Sequence, residues 1–242
     1  DSIESDNAGG SSRANVGDTI YVELTSSEAI VSPTVNIAGQ PATVVEVGSN
    51  PRTWSGSYVV VAEDVDDGST SISIAFEDLA SNTGSTVTSV TDGSAVTLDL
   101  TAPTLTTVSI SSDNAGGYSA VANDGDVITV SLSADEDVTG VTVSIAGQSA
   151  TMSGSGASYS GAYTIVAADV SGGAASVSID FEDMASNVGT TVTGTTDSSA
   201  VTIDLVAPTL TTVTIASSNA NGATLANGGD TITLSLSADE DI

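Results

Sequence analysis

Ile128-Thr129-Val130-Ser131-Leu132-Ser133 decides the fold. Its apolar side chains fall at every second position, a spacing that a strand gathers onto one face and a helix would scatter around its circumference. Working outward, Val141, Val143 and Ile145 repeat the pattern, as do Tyr159, Tyr163 and Ile165, then Val177, Ile179 and Phe181, and finally Val201, Ile203 and Leu205. With the stretch from Leu105 to Ile110, this makes about seven short strands separated by Gly, Asp, Asn and Ser turns within roughly 100 residues, the pattern of an immunoglobulin-like sandwich. The expected fold is all-β. The Cys pair of antibody domains is missing, and Trp54 and Tyr58, which match Tyr159 and Tyr163, read as core residues rather than a sugar-stacking platform.

The same stretch also belongs to a repeat. Sliding the chain against itself gives a match at a shift of about 105 residues. Phe76-Glu77-Asp78-Leu79-Ala80-Ser81-Asn82 returns as Phe181-Glu182-Asp183-Met184-Ala185-Ser186-Asn187, and Ala102-Pro103-Thr104-Leu105 returns as Ala207-Pro208-Thr209-Leu210. Gly17-Asp18, Gly125-Asp126 and Gly229-Asp230 each open an alternating strand. Tandem Greek-key β-sandwiches are therefore expected, with a repeat lacking most of its first strand over 1–102, a complete one over 103–205, and the first two strands of a third over 206–242. Two strands cannot bury a core of their own. The last segment is expected to be held by a cation and a neighbouring molecule, or to be poorly ordered, and β-strand addition to the first repeat of another chain is one way to hold it.

Composition narrows the chemistry. The 242 residues carry 31 Asp plus Glu against 2 Arg, with no His, Cys or Lys, for a net charge of −29. General acid–base and covalent catalysis lose their usual side chains, so no enzyme is expected. The charge repels nucleic acid phosphates and anionic membrane surfaces. No apolar run reaches the length of about 18 residues that a spanning helix requires, and any export signal is expected outside this stretch. A sugar- or receptor-binding module is the alternative reading, and it requires exposed aromatics or a loop peculiar to one copy.

The acids concentrate in loops. Antiparallel order puts Asp135-Glu136-Asp137 and the group Glu182, Asp183 and Asn187 at the pole of the second repeat where the linker Asp99-Leu100-Thr101-Ala102-Pro103 arrives. Facing them from the first repeat are Asp6, Asn7 and Asp18 in one loop and Glu63, Asp64, Asp66 and Asp67 in another. Acid against acid demands a counter-cation. Carboxylate and amide oxygens without His or Cys suit calcium, which takes six to eight oxygen ligands in irregular geometry. Glu28, Glu136 and Glu240 persist in all three copies, whereas Asp135 and Asp137 correspond to Ser27 and Ala29, and Asp113 to Ser218. The remaining candidate ligands are the copies of these positions: Glu77, Asp78 and Asn82, Asn114 and Asp126, Asp169, and Asp204, Asp239 and Asp241.

Through the Asp99–Pro103 linker, the Asp-x-Ala-Ser-Asn turns at 78–82 and 183–187, and the Ala-Pro-Thr-Leu-Thr starts, the chain resembles bacterial immunoglobulin-like repeats of giant surface adhesins of the RTX class. The resemblance is closest to the calcium-dependent extender regions of ice-binding adhesins in that class. It implies sandwiches secreted by a Gram-negative cell, with calcium-filled linkers that turn a flexible string into a rod and neighbouring repeats as the partners. Adhesive activity in that family belongs to other domains, and no flat Thr-rich ice-binding face is visible in this sequence.

Overall fold

In a computed structural model that describes residues 1–66 and 68–240, the chain is all-β. The first unit runs β1 (Ser2–Ser5), β2 (Arg13–Ala14), β3 (Thr19–Thr25), β4 (Ile30–Ile37), β5 (Gln40–Pro41), β6 (Thr43–Glu46), β7 (Thr53–Val59), β8 (Gly68–Ser69), β9 (Ile72–Asp78) and β10 (Thr97–Leu98). The second repeats this order as β11 (Leu105–Ser112), β12 (Val121–Ala122), β13 (Val127–Ala134), β14 (Val138–Ile145), β15 (Gln148–Ser149), β16 (Thr151–Ser155), β17 (Ser158–Thr164), β18 (Gly173–Ala174), β19 (Val177–Asp183) and β20 (Thr202–Ile203). A hairpin follows, β21 (Leu210–Ser217) with β22 (Ile232–Ala238).

Each unit is a β-sandwich. One sheet has the order β1-β3-β7-β6, or β11-β13-β17-β16, and the facing sheet has the order β5-β4-β9, or β15-β14-β19. The alternation read from the sequence is the burial pattern: Ile128, Val130 and Leu132 face inward against Val143, Ile145, Ile179 and Phe181 in one continuous core. Ile20, Val22, Leu24, Val35, Ile37 and Ile74 form a separate core in the first unit. Fully burying an aliphatic side chain of this size contributes about 1.5–3 kcal/mol, so each unit holds itself together without disulfides.

The last strand departs from expectation. Val201 and Ile203 are buried as the alternation requires, yet only Thr202–Ile203 forms ladder pairs, parallel to β12 and antiparallel to β18 in a small third sheet. The segment before it meets β19 through the isolated bridges Ile179↔Val192 and Glu182↔Val188 and through the Thr191 hydroxyl, which donates to Asp180 at 2.6 Å. Periodicity reports which side chains are buried; it does not report which backbone they pair with.

The β21–β22 hairpin keeps the register of β11–β13, including the irregularity after its first leucine. No second sheet covers it among the described residues, and Leu210, Val213, Ile215, Leu234 and Leu236 are all at least half exposed.

Candidate metal centre

The centre begins as a local turn. Asp183 Oδ1 accepts from the backbone N–H groups of Ala185 (2.7 Å) and Asn187 (2.8 Å), while Oδ2 accepts from Asn187 Nδ2 at 2.8 Å. Ser186 takes the left-handed conformation, φ 66°. Asp and Asn side chains that bond nearby backbone are what shape such turns. Just beyond it the Phe181 ring lies against Gly189, where a Cβ would stand 2.3 Å from the ring.

This turn is the seat of the junction between the two units. Asn7 Nδ2 donates to the Ala185 carbonyl at 2.7 Å, and Asn187 Nδ2 donates to the Asp99 carbonyl at 2.8 Å. Gly9 presses on Met184 so closely that a Cβ would fall 2.3 Å from its carbonyl oxygen. The result is that Asp183, a carboxylate, is 0% exposed.

Asp99 from the linker and Glu136 from the β13–β14 turn join it, with one oxygen of each of the three carboxylates within 4.8 Å of the others. Burial, then Asp183 and Asp66, raise the Asp99 carboxyl; the Thr101 N–H and Arg13 oppose this only in part. Burial likewise raises Glu136, followed by repulsion from Asp99, Asp183, Asp135 and Asp66. Two unit charges 4 Å apart near a protein surface repel by about 4 kcal/mol, so this cluster favours whatever neutralises it. Its donors are all oxygen, which suits a hard cation such as calcium and offers nothing to a thiophilic metal. Asp99, Glu136 and Asp183 are the residues that would hold such an ion.

The second junction has part of the same arrangement. Glu240 is raised by loss of solvent, then by Asp204 and Asp239, and its Oε1 is buried without a hydrogen-bond partner. Beside it lies a cleft of about 570 Å³ whose walls carry Asn114, Asp204 and Glu240. These are the counterparts of Asn7, Asp99 and Glu136, which at the first junction close on the Asp183–Asn187 turn. At the opposite pole, Glu28, Asp78 and Asn82, the counterparts of Glu136, Asp183 and Asn187, line another cleft together.

Most of the other candidate ligands sit in structural hydrogen bonds. Asp135 accepts from Thr104 N–H (2.8 Å) and Oγ1 (2.7 Å), and Asp239 from the same two groups of Thr209, bonds that lower both carboxyls and tie each β-turn to its linker. Asp66 accepts from Leu100 N–H and Thr101 Oγ1. Asp64 and Asp169 accept from Tyr58 and Tyr163 hydroxyls, and burial together with Asp64 pushes the Tyr58 phenol up to about 12. Asp18 and Asp126 accept from Asn7 and Asn114 at 2.6 and 2.7 Å. Asp6 and Asp113 accept from Thr19 and Val127 N–H. Asp204 accepts from Val206 N–H. Glu77 is exposed, Glu182 lies over Gly140, and Asp137 lies near Gly156. Asp67 and Asp241 fall outside the described residues.

Sequence reasoning passed over Thr104, Gly9 and the Met184 and Ala185 carbonyls. The one available signal was the repetition of Thr after the linker proline at 104 and 209, each paired with an Asp at 135 and 239.

No protein-family model matches the chain, and no curated protein matches it. Among solved structures it is similar to the fibronectin(III)-like modules of CbhA from Clostridium thermocellum, at 10% identity over 84% of this chain and 93% of that one, TM-score 0.36. It is also similar to the I9–I11 tandem of titin, at 14% identity over 80% and 63%, TM-score 0.35. A third is SGBP-B of the Bacteroides ovatus mixed-linkage glucan utilization locus, in complex with a mixed-linkage heptasaccharide, at 15% identity over 84% and 46%, TM-score 0.22. Similarity this distant carries no functional weight.

Proposed function

We infer that the chain is a non-catalytic spacer, a string of β-sandwiches whose junctions are stiffened by calcium, in a secreted bacterial surface adhesin whose binding activity lies elsewhere. The observation that carries this reading is the Asp99–Glu136–Asp183 cluster, because the linker between the units, a turn and a loop of the second unit all supply one carboxylate to it. A cation held by all three ties the linker to the unit that follows. Asn7 and Gly9 of the first unit already grip the same turn from the other side, so ion and clasp act on one point.

Each part has a role. Asp183 is pre-set by its own turn, so binding costs little ordering there. Asp99 moves with the linker, and Pro103 after it fixes one backbone dihedral. Glu136, the position kept in all three copies, brings in the β13–β14 turn. The lack of Lys leaves the cluster dependent on an external cation, which is how stiffness becomes tied to the high calcium of an extracellular setting. Bound calcium also stabilises the folded chain by mass action.

Isothermal titration with calcium, paired with small-angle scattering in millimolar calcium and in excess chelator, tests this. Expected are calcium binding that Asp99→Asn and Glu136→Gln each weaken at least tenfold, and a rod-like profile that becomes flexible on chelation. A profile indifferent to chelator would return the carboxylates to the role of solubility features.

A further inference from the structure

The loops that follow β1, β11 and β21 are held by the same bonds in all three copies. Asn7 Oδ1 accepts from the Gly9 N–H at 2.7 Å, Asn114 Oδ1 from Gly116 at 2.9 Å and Asn219 Oδ1 from Asn221 at 2.9 Å. The carbonyl of each Asn accepts from the N–H three residues on, at 3.1, 2.9 and 3.1 Å. Each Asn Nδ2 donates to an Asp of the following turn, Asp18, Asp126 or Asp230, at 2.6–2.7 Å. Side-chain bonds of this kind set the shape of a loop locally, so the residue two after the Asn stands at the same point of the loop in every copy.

That residue is not the same in each. The copies read Asn7-Ala8-Gly9-Gly10, Asn114-Ala115-Gly116-Gly117 and Asn219-Ala220-Asn221-Gly222. In the first copy it is the point where the loop meets the next unit: a Cβ on Gly9 would stand 2.3 Å from the Met184 carbonyl oxygen, and Asn7 Nδ2 reaches the Ala185 carbonyl beside it. The obstacle is backbone inside a turn fixed by Asp183 and Asn187, so it has little freedom to give way. Asn221 carries a Cβ to the corresponding point of its own loop. Neither Gly9 nor Asn221 has a positive φ, so Asn enters this loop without strain and its bulk matters only to what docks there.

We propose that this position is a docking code for the surface the loop presents. With Gly, as at 9 and 116, the loop seats on an Asp-x-Ala-Ser-Asn turn of a neighbouring repeat and locks the two units. With Asn, as at 221, it excludes that turn from the same distance, and the joint it makes is looser. The partner is recognised through two backbone carbonyls rather than through its side chains, so the discriminating information lies in the loop and not in the turn. The code does not rest on the cation reading, because its contacts are with the Met184 and Ala185 carbonyls and not with the carboxylates of the cluster.

Gly9→Asn gives the first loop the Asn-Ala-Asn sequence of the third, and Asn221 shows that the loop folds with it. Residual dipolar couplings of the full chain in calcium test the code. Expected for the wild type is one alignment tensor shared by both units. Expected for Gly9→Asn are two different tensors, with the Ala185 and Ser186 amide resonances shifted and those of Ile20 and Ile74, in the core of the first unit, unmoved. Gly116→Asn, the same exchange in a loop away from this junction, is expected to match the wild type. Gly9→Ala carries the same Cβ and repeats the test if Asn at 9 disturbs the first unit. A common tensor retained in Gly9→Asn overturns the proposal, and so do separate tensors in the wild type or in Gly116→Asn.

Discussion

The turns Asp78–Asn82 and Asp183–Asn187 are built alike and end in different surroundings. In both, the Asp accepts from the N–H groups two and four residues on and from the Asn side chain, at 2.7–2.8 Å, and in both the Ser is left-handed, φ 62° and 66°. Yet Asp183 is fully buried and Asp78 is partly open, with its neighbour Leu79 78% exposed. The difference is what docks: among the described residues, a linker and an Asn-Ala-Gly loop lie on the second turn and not on the first. Local chemistry makes the turn; the junction buries it.

The comparison can be broken most strongly at the aspartates. Asp183→Ala leaves two backbone N–H donors without their acceptor in a buried junction, an expected loss of about 3 kcal/mol in calcium, against a clearly smaller loss for Asp78→Ala, where water replaces the carboxylate. Urea unfolding of each variant measures both, and equal losses would deny the junction any part.

Next comes the glycine under each phenylalanine. A Cβ at Gly189 or Gly84 would stand 2.3 or 2.2 Å from the ring of Phe181 or Phe76. Gly189→Ala is expected to lower stability by about 2 kcal/mol and Gly84→Ala by about 1 kcal/mol, because the partly buried Phe76 can shift away. Thermal unfolding of the two variants ranks them.

Acidity should act on the two places with opposite sign. Asp99 and Glu136 are raised in the folded chain, so in chelator their contribution to stability is present below the ordinary carboxylate range and is lost as pH rises through their raised values. Asp78 is lowered, chiefly by its bond from Asn82, so its contribution is present above that range and lost as pH falls through the lowered value. A pH series of unfolding midpoints in chelator should show the gain at falling pH shrink in a variant carrying Asp99→Asn and Glu136→Gln, and the loss at falling pH shrink in Asp78→Asn, with Trp54 reporting on the first unit. Calcium should blunt the gain, because it requires the ionised carboxylates.

The smallest effect in energy is the most specific in place. Gly9→Ala puts a methyl against the Met184 carbonyl and touches neither core. Its expected signature is a change in the relative tumbling of the two units, read by nitrogen-15 relaxation, with both unfolding midpoints held within a degree or two.

Several of these features were legible in advance. Alternation at Ile128, Val130 and Leu132 gave a buried face because the side-chain period of a strand is two, and the repeat gave the second unit from the first. Antiparallel order alone puts the polar loops at the poles, and so puts Asp99, Glu136 and Asp183 at one end of the second unit. What lay beyond reach was which acids face one another and which are absorbed locally. Asp135 looked as suitable as Glu136, but Thr104 takes up both its oxygens.

The sequence by itself determined the sandwich, its copying and the Asp-x-Ala-Ser-Asn turn, because these rest on periodicity and short-range hydrogen bonding. Only the tertiary structure decided that the final strand pairs with β12 and β18, that three carboxylates converge at one junction, and that Gly9 and Asn7 clasp the second turn. Those depend on where backbones far apart in the chain come to lie, and no local pattern encodes that distance.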